Sequence, residues 1–329
     1  MTEYQNIIGI VAGVKPSMKW DGKESVSDWQ ARAKAKLREL IGLDKMIVAE
    51  KCLEIEYDRQ ETDFREIRFK FQSEPGYFVP CHMLIPNGVS GKLPAIICMQ
   101  GHSKGMHISL GRTKYEDEEV NGDRDFCIRA VKEGYIAIAL EQRNFGECGG
   151  TETGPKCTEP ALTNLLIGRT TVGERVWDVS RCIDVLLSDF AEYVLSDQIY
   201  ALGNSGGGTT TVYVTALEER LAGGVPSCAV STFAASIGAM HHCACNYVPN
   251  ILNYFDMAEI LMMSAPRKLV VVSGAEDPIF PVKEAKEMVA EAKEFYTAAG
   301  APERIAHVIG DGGHRFYADG AWSALKAMK

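Results

Sequence analysis

The sequence predicts an α/β fold: one central, mostly parallel sheet with antiparallel N-terminal strands and helices on both faces, preceded by a helical N-terminal extension. Three observations carry this. From residue 93 onward, strand-like runs alternate with runs of helical period, as repeated βα units do. Residues 93–99 are apolar almost throughout, the pattern of a strand buried on both faces. Residues 52–86 instead show short alternating runs ending in Pro86-Asn87-Gly88, the pattern of an antiparallel start.

Each element can be justified in chain order. Residues 1–48 form the extension, and residues 49–329 the main domain. In the extension, Ser27 is placed to cap a helix. Trp29, Ala33, Leu37, Leu40 and Ile41 make one apolar stripe along it, and Gly42 ends it. Strands are expected over 52–57, 64–71 and 77–85. Then follow a strand over 93–99, a helix over 123–133 closed by Gly134, and a strand over 135–140. A helix over 172–187 carries Val172, Val176, Trp177, Ile183, Leu186 and Leu187 at helical spacing. A strand over 199–202, a helix over 207–217 and strands over 225–230 and 268–272 come next. The chain closes with a helix over 282–299, a strand over 305–309 and a helix over 321–328.

Composition narrows the function classes. The 329 residues are 46% hydrophobic and 24% charged, enough for a full core. The net charge of −9 argues against a nucleic-acid surface and against an anionic-membrane anchor. The ten cysteines are dispersed in a chain too large to need stapling, and read as free thiols in a reducing compartment. Residues 7–14 make a poor signal peptide, and no apolar run reaches 18 residues. A cytoplasmic protein is the expectation.

Two segments match G-x-S-x-G, the turn that presents a nucleophilic serine between a strand and a helix. They are Gly101-His102-Ser103-Lys104-Gly105 and Gly203-Asn204-Ser205-Gly206-Gly207. Ser205 follows an apolar strand and precedes small residues and then a helix. Ser103 is followed instead by residues 104–111 and the charge run 114–119, where no amphipathic helix starts. Ser205 is therefore the expected nucleophile. A Gly-rich phosphate loop is the competing explanation, but no Lys follows as a P-loop needs.

A serine hydroxyl needs a base to take its proton, and the base needs an acid to hold its tautomer. With this elbow the order is Ser, acid, His, each beyond the end of a strand. Asp277 follows the strand over 268–272, with Glu276 its neighbouring rival. His314 follows the strand over 305–309 on the loop Gly310-Asp311-Gly312-Gly313-His314. His82 and His107 lie upstream of the serine, and His307 lies inside a strand. The oxyanion hole is assigned to the backbone N–H groups of Gly206 and of His102, on the loop after the earlier strand.

These motifs resemble the α/β-hydrolase fold and, within it, the acetyl xylan esterase-like bacterial hydrolases. Gly101-His102, residues 141–147, residues 173–178 and Ala265-Pro266-Arg267 also suit the resemblance, which covers residues 50–329. It implies a serine esterase that works through an acyl-enzyme with no cofactor, on a small acyl ester of a sugar. Dienelactone hydrolases are similar but usually carry Cys where Ser205 stands. Glucuronoyl esterases usually carry Arg where Gly206 stands. A peptidase or aminoacyl hydrolase with the same triad, or a binding protein on this scaffold, are the alternatives. The partner expected is a small-molecule or oligosaccharide ester, with a homo-oligomer allowed and no nucleic acid or membrane partner.

Two segments interrupt the βα rhythm. Residues 231–255 contain His241, His242, Cys243, Cys245 and Tyr247. Adjacent histidines and Cys-x-Cys do not fit the usual zinc spacings, so no metal is assigned, and His241, His242 and Tyr247 are taken as substrate-lining residues. Residues 147–169, rich in Gly, Thr and Pro, could form a lid or an oligomer contact.

Overall fold

A computed structural model describes residues 1–116, 118 and 120–329. Residues 117 and 119 of the charge run thus lie outside the described residues. The strands are β1 (Glu54–Gln60), β2 (Phe64–Glu74), β3 (Tyr77–Pro86), β4 (Leu93–Met99), β5 (Ile136–Leu140), β6 (Val194–Asn204), β7 (Leu221–Ser227), β8 (Lys268–Gly274) and β9 (Ile305–Gly310). They form one sheet in the order β1-β2-β3-β5-β4-β6-β7-β8-β9. β1, β2, β3 and β5 pair antiparallel, and every pairing from β5 to β9 is parallel. This is the architecture the sequence patterns imply.

Among the described residues ten α-helices accompany the sheet: α1 (Glu3–Gly13), α2 (Val26–Leu40), α3 (Phe126–Lys132), α4 (Thr158–Leu165), α5 (Thr171–Ser188), α6 (Gly206–Leu217), α7 (Ile251–Tyr254), α8 (Met257–Met262), α9 (Val282–Ala298) and α10 (Ala318–Ala327). The alternation of side chains along a strand divides the core into two layers. Ala95, Ile97 and Met99 of β4 face a layer built with α2, α5, α6, α8 and α9. Ile96 and Cys98 face the opposite layer, built with α3 and α10. Trp29, Ala33, Leu37 and Ile41 of the extension are buried in the first of these layers. Among the described residues no helix is long and apolar enough to cross a membrane.

The differences from the expected elements have local causes. The cap of α2 is Ser25 rather than Ser27, and its side chain accepts from the Asp28 N–H. β7 starts at Leu221 rather than at 225, because Gly223 and Gly224 lie within the strand. A Cβ at Gly223 would lie 2.3 Å from the Lys268 carbonyl oxygen, and one at Gly224 would lie 2.1 Å from Thr215 Oγ1. Glycines that permit close packing thus hid the start of the strand. α1 lies in the extension that the sequence marks as helical, ahead of the one helix placed there. Thr2 and Gln5 make a reciprocal capping box at its start, the helix buries none of its residues, and Gly9 and Gly13 interrupt its apolar run. The segment over 147–169 contains α4.

Candidate active site

The parallel strands β6, β8 and β9 end on the same edge of the sheet. β6 ends at Asn204, and Ser205 then turns directly into α6. Its backbone sits at φ 53°, ψ −119°, a sparsely populated region for a residue with a side chain. The turn is held by the Ser205 N–H bonded to the Ser227 carbonyl at 2.9 Å. Glycines permit it: a Cβ at Gly203 would lie 2.4 Å from the Gly207 backbone, and one at Gly207 would lie 2.1 Å from the Met99 carbonyl oxygen. Strand, strained serine and helix are therefore in the expected arrangement.

Asp277 and His314 meet across the loops after β8 and β9. His314 Nδ1 lies 2.8 Å from Asp277 Oδ2. The other carboxylate oxygen of Asp277 accepts from the N–H groups of Ile279 at 2.8 Å and Phe280 at 3.1 Å. Burial by itself would raise this carboxyl. The His314 hydrogen bond and charge and the two amides outweigh it and hold the group below its ordinary value. An ionised carboxylate in this position fixes the imidazole with Nε2 free to act as a base. Glu276, the rival one residue away, is exposed. Phe280 stacks on His314 with ring centroids 6.0 Å apart and planes at 16°, a second support for the ring.

Ser205, Gly206, His102 and His314 line a single cavity of about 930 Å³. His241, His242 and Tyr247 line it too. The structure thus brings these three residues to the lining of the cavity that Ser205 borders. His242 is also tied down, with Nε2 3.2 Å from Ser236 Oγ and its ring edge-on to Phe280. Ala161, Leu162 and Leu165 of α4 add apolar side chains to the same lining. α4 and Phe280 had no signal of their own at the level of sequence. α4 lies in a segment without strong periodicity, and Phe280 was only one letter of the Asp277 loop.

Ser103, the competing elbow, is buried and holds no strand-to-helix turn. The short 3₁₀ helix Met106–Leu110 follows it, and its Oγ contacts Gly105 at 3.5 Å. The loop around it contributes His102 instead. The Cε1–Nδ1 edge of that imidazole faces Gly206, and a Cβ at Gly206 would lie 2.8 Å from it. A side chain at position 206, including the Arg usual in glucuronoyl esterases, would require His102 to move. Gly206 opens α6, where the first backbone N–H groups have no helical acceptor and are available to hold negative charge.

The remaining histidines are engaged elsewhere. His82 Nδ1 lies 2.7 Å from Glu66, His107 Nε2 lies 2.6 Å from Glu118, and His307 Nε2 lies 3.0 Å from Ser273 Oγ in the edge strand β9. The ten cysteines are free. Cys228 lies near the triad, but burial and the neighbouring Asp277 push its thiol up to about 12, which keeps it protonated.

A family model described as an abhydrolase family matches residues 7–161, a stretch that ends before Ser205, Asp277 and His314. No curated protein sequence matches the chain. Several solved structures are similar. A candidate acetyl xylan esterase from Bacteroides fragilis superposes with a TM-score of 0.77 at 16% identity, over 94% of this chain and 82% of that one. A methylesterase gives 0.71 at 17% identity, over 98% of this chain and 67% of that one. A glucuronoyl esterase from Solibacter usitatus gives 0.69 at 14% identity, over 96% of this chain and 98% of that one. The chain has the α/β-hydrolase fold.

Proposed function

We propose that this α/β-hydrolase-fold chain is a serine carboxylic-ester hydrolase with Ser205 as nucleophile, His314 as base and Asp277 as the group that orients it. The observation that carries the reading is the pairing of two features at one cavity: a serine on a strained strand-to-helix turn, and a histidine held by a buried carboxylate. His314 Nε2 takes the Ser205 proton as Oγ attacks the ester carbonyl. The N–H groups of Gly206 and His102 hold the developing oxyanion. His314 then protonates the leaving alcohol. Water, deprotonated by His314, attacks the acyl-enzyme and releases the acid and Ser205. The chain's own residues supply every proton transfer, so the mechanism calls for no cofactor.

The substrate class is an acylated carbohydrate. One of the similar structures is described as a candidate acetyl xylan esterase, and the lining of the cavity offers both apolar and polar contacts. Leu162 and Leu165 suit an acyl group, while His241, His242, Asn246 and Tyr247 offer partners to sugar hydroxyls. The test is a panel of aryl acetates of increasing acyl length, acetylated xylooligosaccharides, methyl esters of uronic acids and aminoacyl arylamides. Turnover of the acetylated sugars and short aryl esters supports the proposal. Cleavage of the arylamides with the esters inert would overturn it in favour of a peptidase.

A further inference from the structure

Beside the cavity lies a cluster that ester hydrolysis does not use. His102 on the loop after β4, Cys157 at the start of α4, and Cys243 and Cys245 in the segment after β7 converge, and their four ligand atoms all lie within 4.8 Å of one another. His102 Nε2 is 3.1 Å from Cys245 Sγ, and Cys245 Sγ is 3.3 Å from Cys243 Sγ. We propose that His102, Cys157, Cys243 and Cys245 form a tetrahedral zinc site that ties together three separate segments of the cavity wall.

The geometry and the donor chemistry agree. A zinc ion about 2.3 Å from each sulfur sets tetrahedral ligand atoms roughly 3.8 Å apart, a spacing that falls between the 3.1 Å and 4.8 Å that bound this cluster. Three thiolates and one imidazole are a recognised donor set for structural zinc, and four protein ligands leave no open position for catalysis. Coordination through His102 Nε2 leaves the ring proton on Nδ1, at the edge that faces Gly206.

A second observation points the same way. Arg175 of α5 is fully buried, and its guanidinium aims at this cluster, with Nη1 3.5 Å from Cys245 Sγ and Nη2 3.9 Å from Cys157 Sγ. Its other contacts are the Arg143 carbonyl at 2.9 Å and the face of Phe145, while its Nε finds no partner among the described residues. No carboxylate among the described residues pairs with it. A buried cation needs a compensating negative charge. Neutral thiols do not supply one. Zinc binding does: the ion displaces three thiol protons, and Zn²⁺ with three thiolates and a neutral imidazole carries one net negative charge, which Arg175 balances.

The site would hold the His102 loop against α4 and against the segment that bears His241, His242 and Tyr247. Its effect on the oxyanion donor rests on the ester-hydrolase proposal, but its existence does not, and the test reads metal rather than turnover. The full chain, purified under reducing conditions without chelator from zinc-supplemented medium, is expected to carry about one zinc per chain by mass spectrometry of the metal. Cys157→Ser and Cys243→Ser should lose that zinc, while Cys52→Ser, an exposed cysteine outside the cluster, should keep it. Because ligand variants can misfold, the wild-type chain is also loaded with cobalt. Intense sulfur-to-cobalt absorption together with tetrahedral ligand-field bands supports the site. Folded wild-type protein that binds no zinc on reconstitution, or whose Cys157, Cys243 and Cys245 are alkylated equally fast with and without zinc, would overturn it.

Discussion

Two clusters border the same cavity and are assembled in opposite ways. Ser205, Asp277 and His314 each stand just beyond the C-terminal end of a parallel strand, β6, β8 and β9. The sheet sets their spacing, so chain order and the position of each residue in its βα unit reveal them. His102, Cys157, Cys243 and Cys245 come from three connecting segments, and only His102 follows a strand directly. Their proximity exists only in the tertiary fold. The first cluster is placed by the scaffold, while the second would hold loops that the scaffold leaves to themselves.

The comparison can be broken most sharply at the serine. Ser205→Ala should lower kcat on an aryl acetate by on the order of a millionfold with the fold intact by circular dichroism. A variant that kept activity while Ser103→Ala lost it would move the nucleophile to the other elbow. Asp277→Asn should cost on the order of ten thousandfold in kcat, because an amide no longer favours the imidazole tautomer with a free Nε2. Steady-state kinetics with little change in KM is the expected outcome. Gly206→Ala probes the point where the two clusters touch. Its Cβ would press on the His102 ring at 2.8 Å, and displacing one oxyanion donor should cost roughly 100-fold in kcat.

The smallest effect is a matter of pH and stability. Glu141, in the loop after β5, accepts from the N–H groups of Met106 at 3.2 Å and Glu147 at 3.3 Å and so braces the His102 loop. Burial, only partly offset by those amides, raises its carboxyl from 4.5 to about 7. A carboxyl raised on folding favours the folded state while protonated. Its contribution is full below the unfolded value and is lost as pH rises from 4.5 through about 7. Glu141→Gln should therefore flatten the fall in stability across that window by roughly 3 kcal/mol in denaturant titrations. An unchanged pH dependence would show that Glu141 is not the buried titrating group.

Much of the fold was legible because apolar period and glycine placement reflect local constraints. Residues 93–99 read as a doubly buried strand since every second side chain enters a different core layer. The start of β7 did not, because Gly223 and Gly224 leave no apolar side chain to count. α4 also escaped notice: it packs one apolar edge over the cavity and leaves Leu166 just beyond it 84% exposed, so its pattern is not that of a core helix. At the site, Asp277 and His314 followed from strand order. The convergence of Cys157 and His102 with Cys243 and Cys245 could not follow from Cys-x-Cys spacing, because two of the four partners lie far upstream.

The most direct test of the central claim is covalent. A fluorophosphonate phosphonylates an activated serine with loss of fluoride, and the modified peptide can be read by mass spectrometry. One adduct per chain on Ser205, absent in Ser205→Ala and strongly reduced in Asp277→Asn, is the predicted result. An adduct on Ser103, or an ester-hydrolysing protein that remains unlabelled at Ser205, would contradict it.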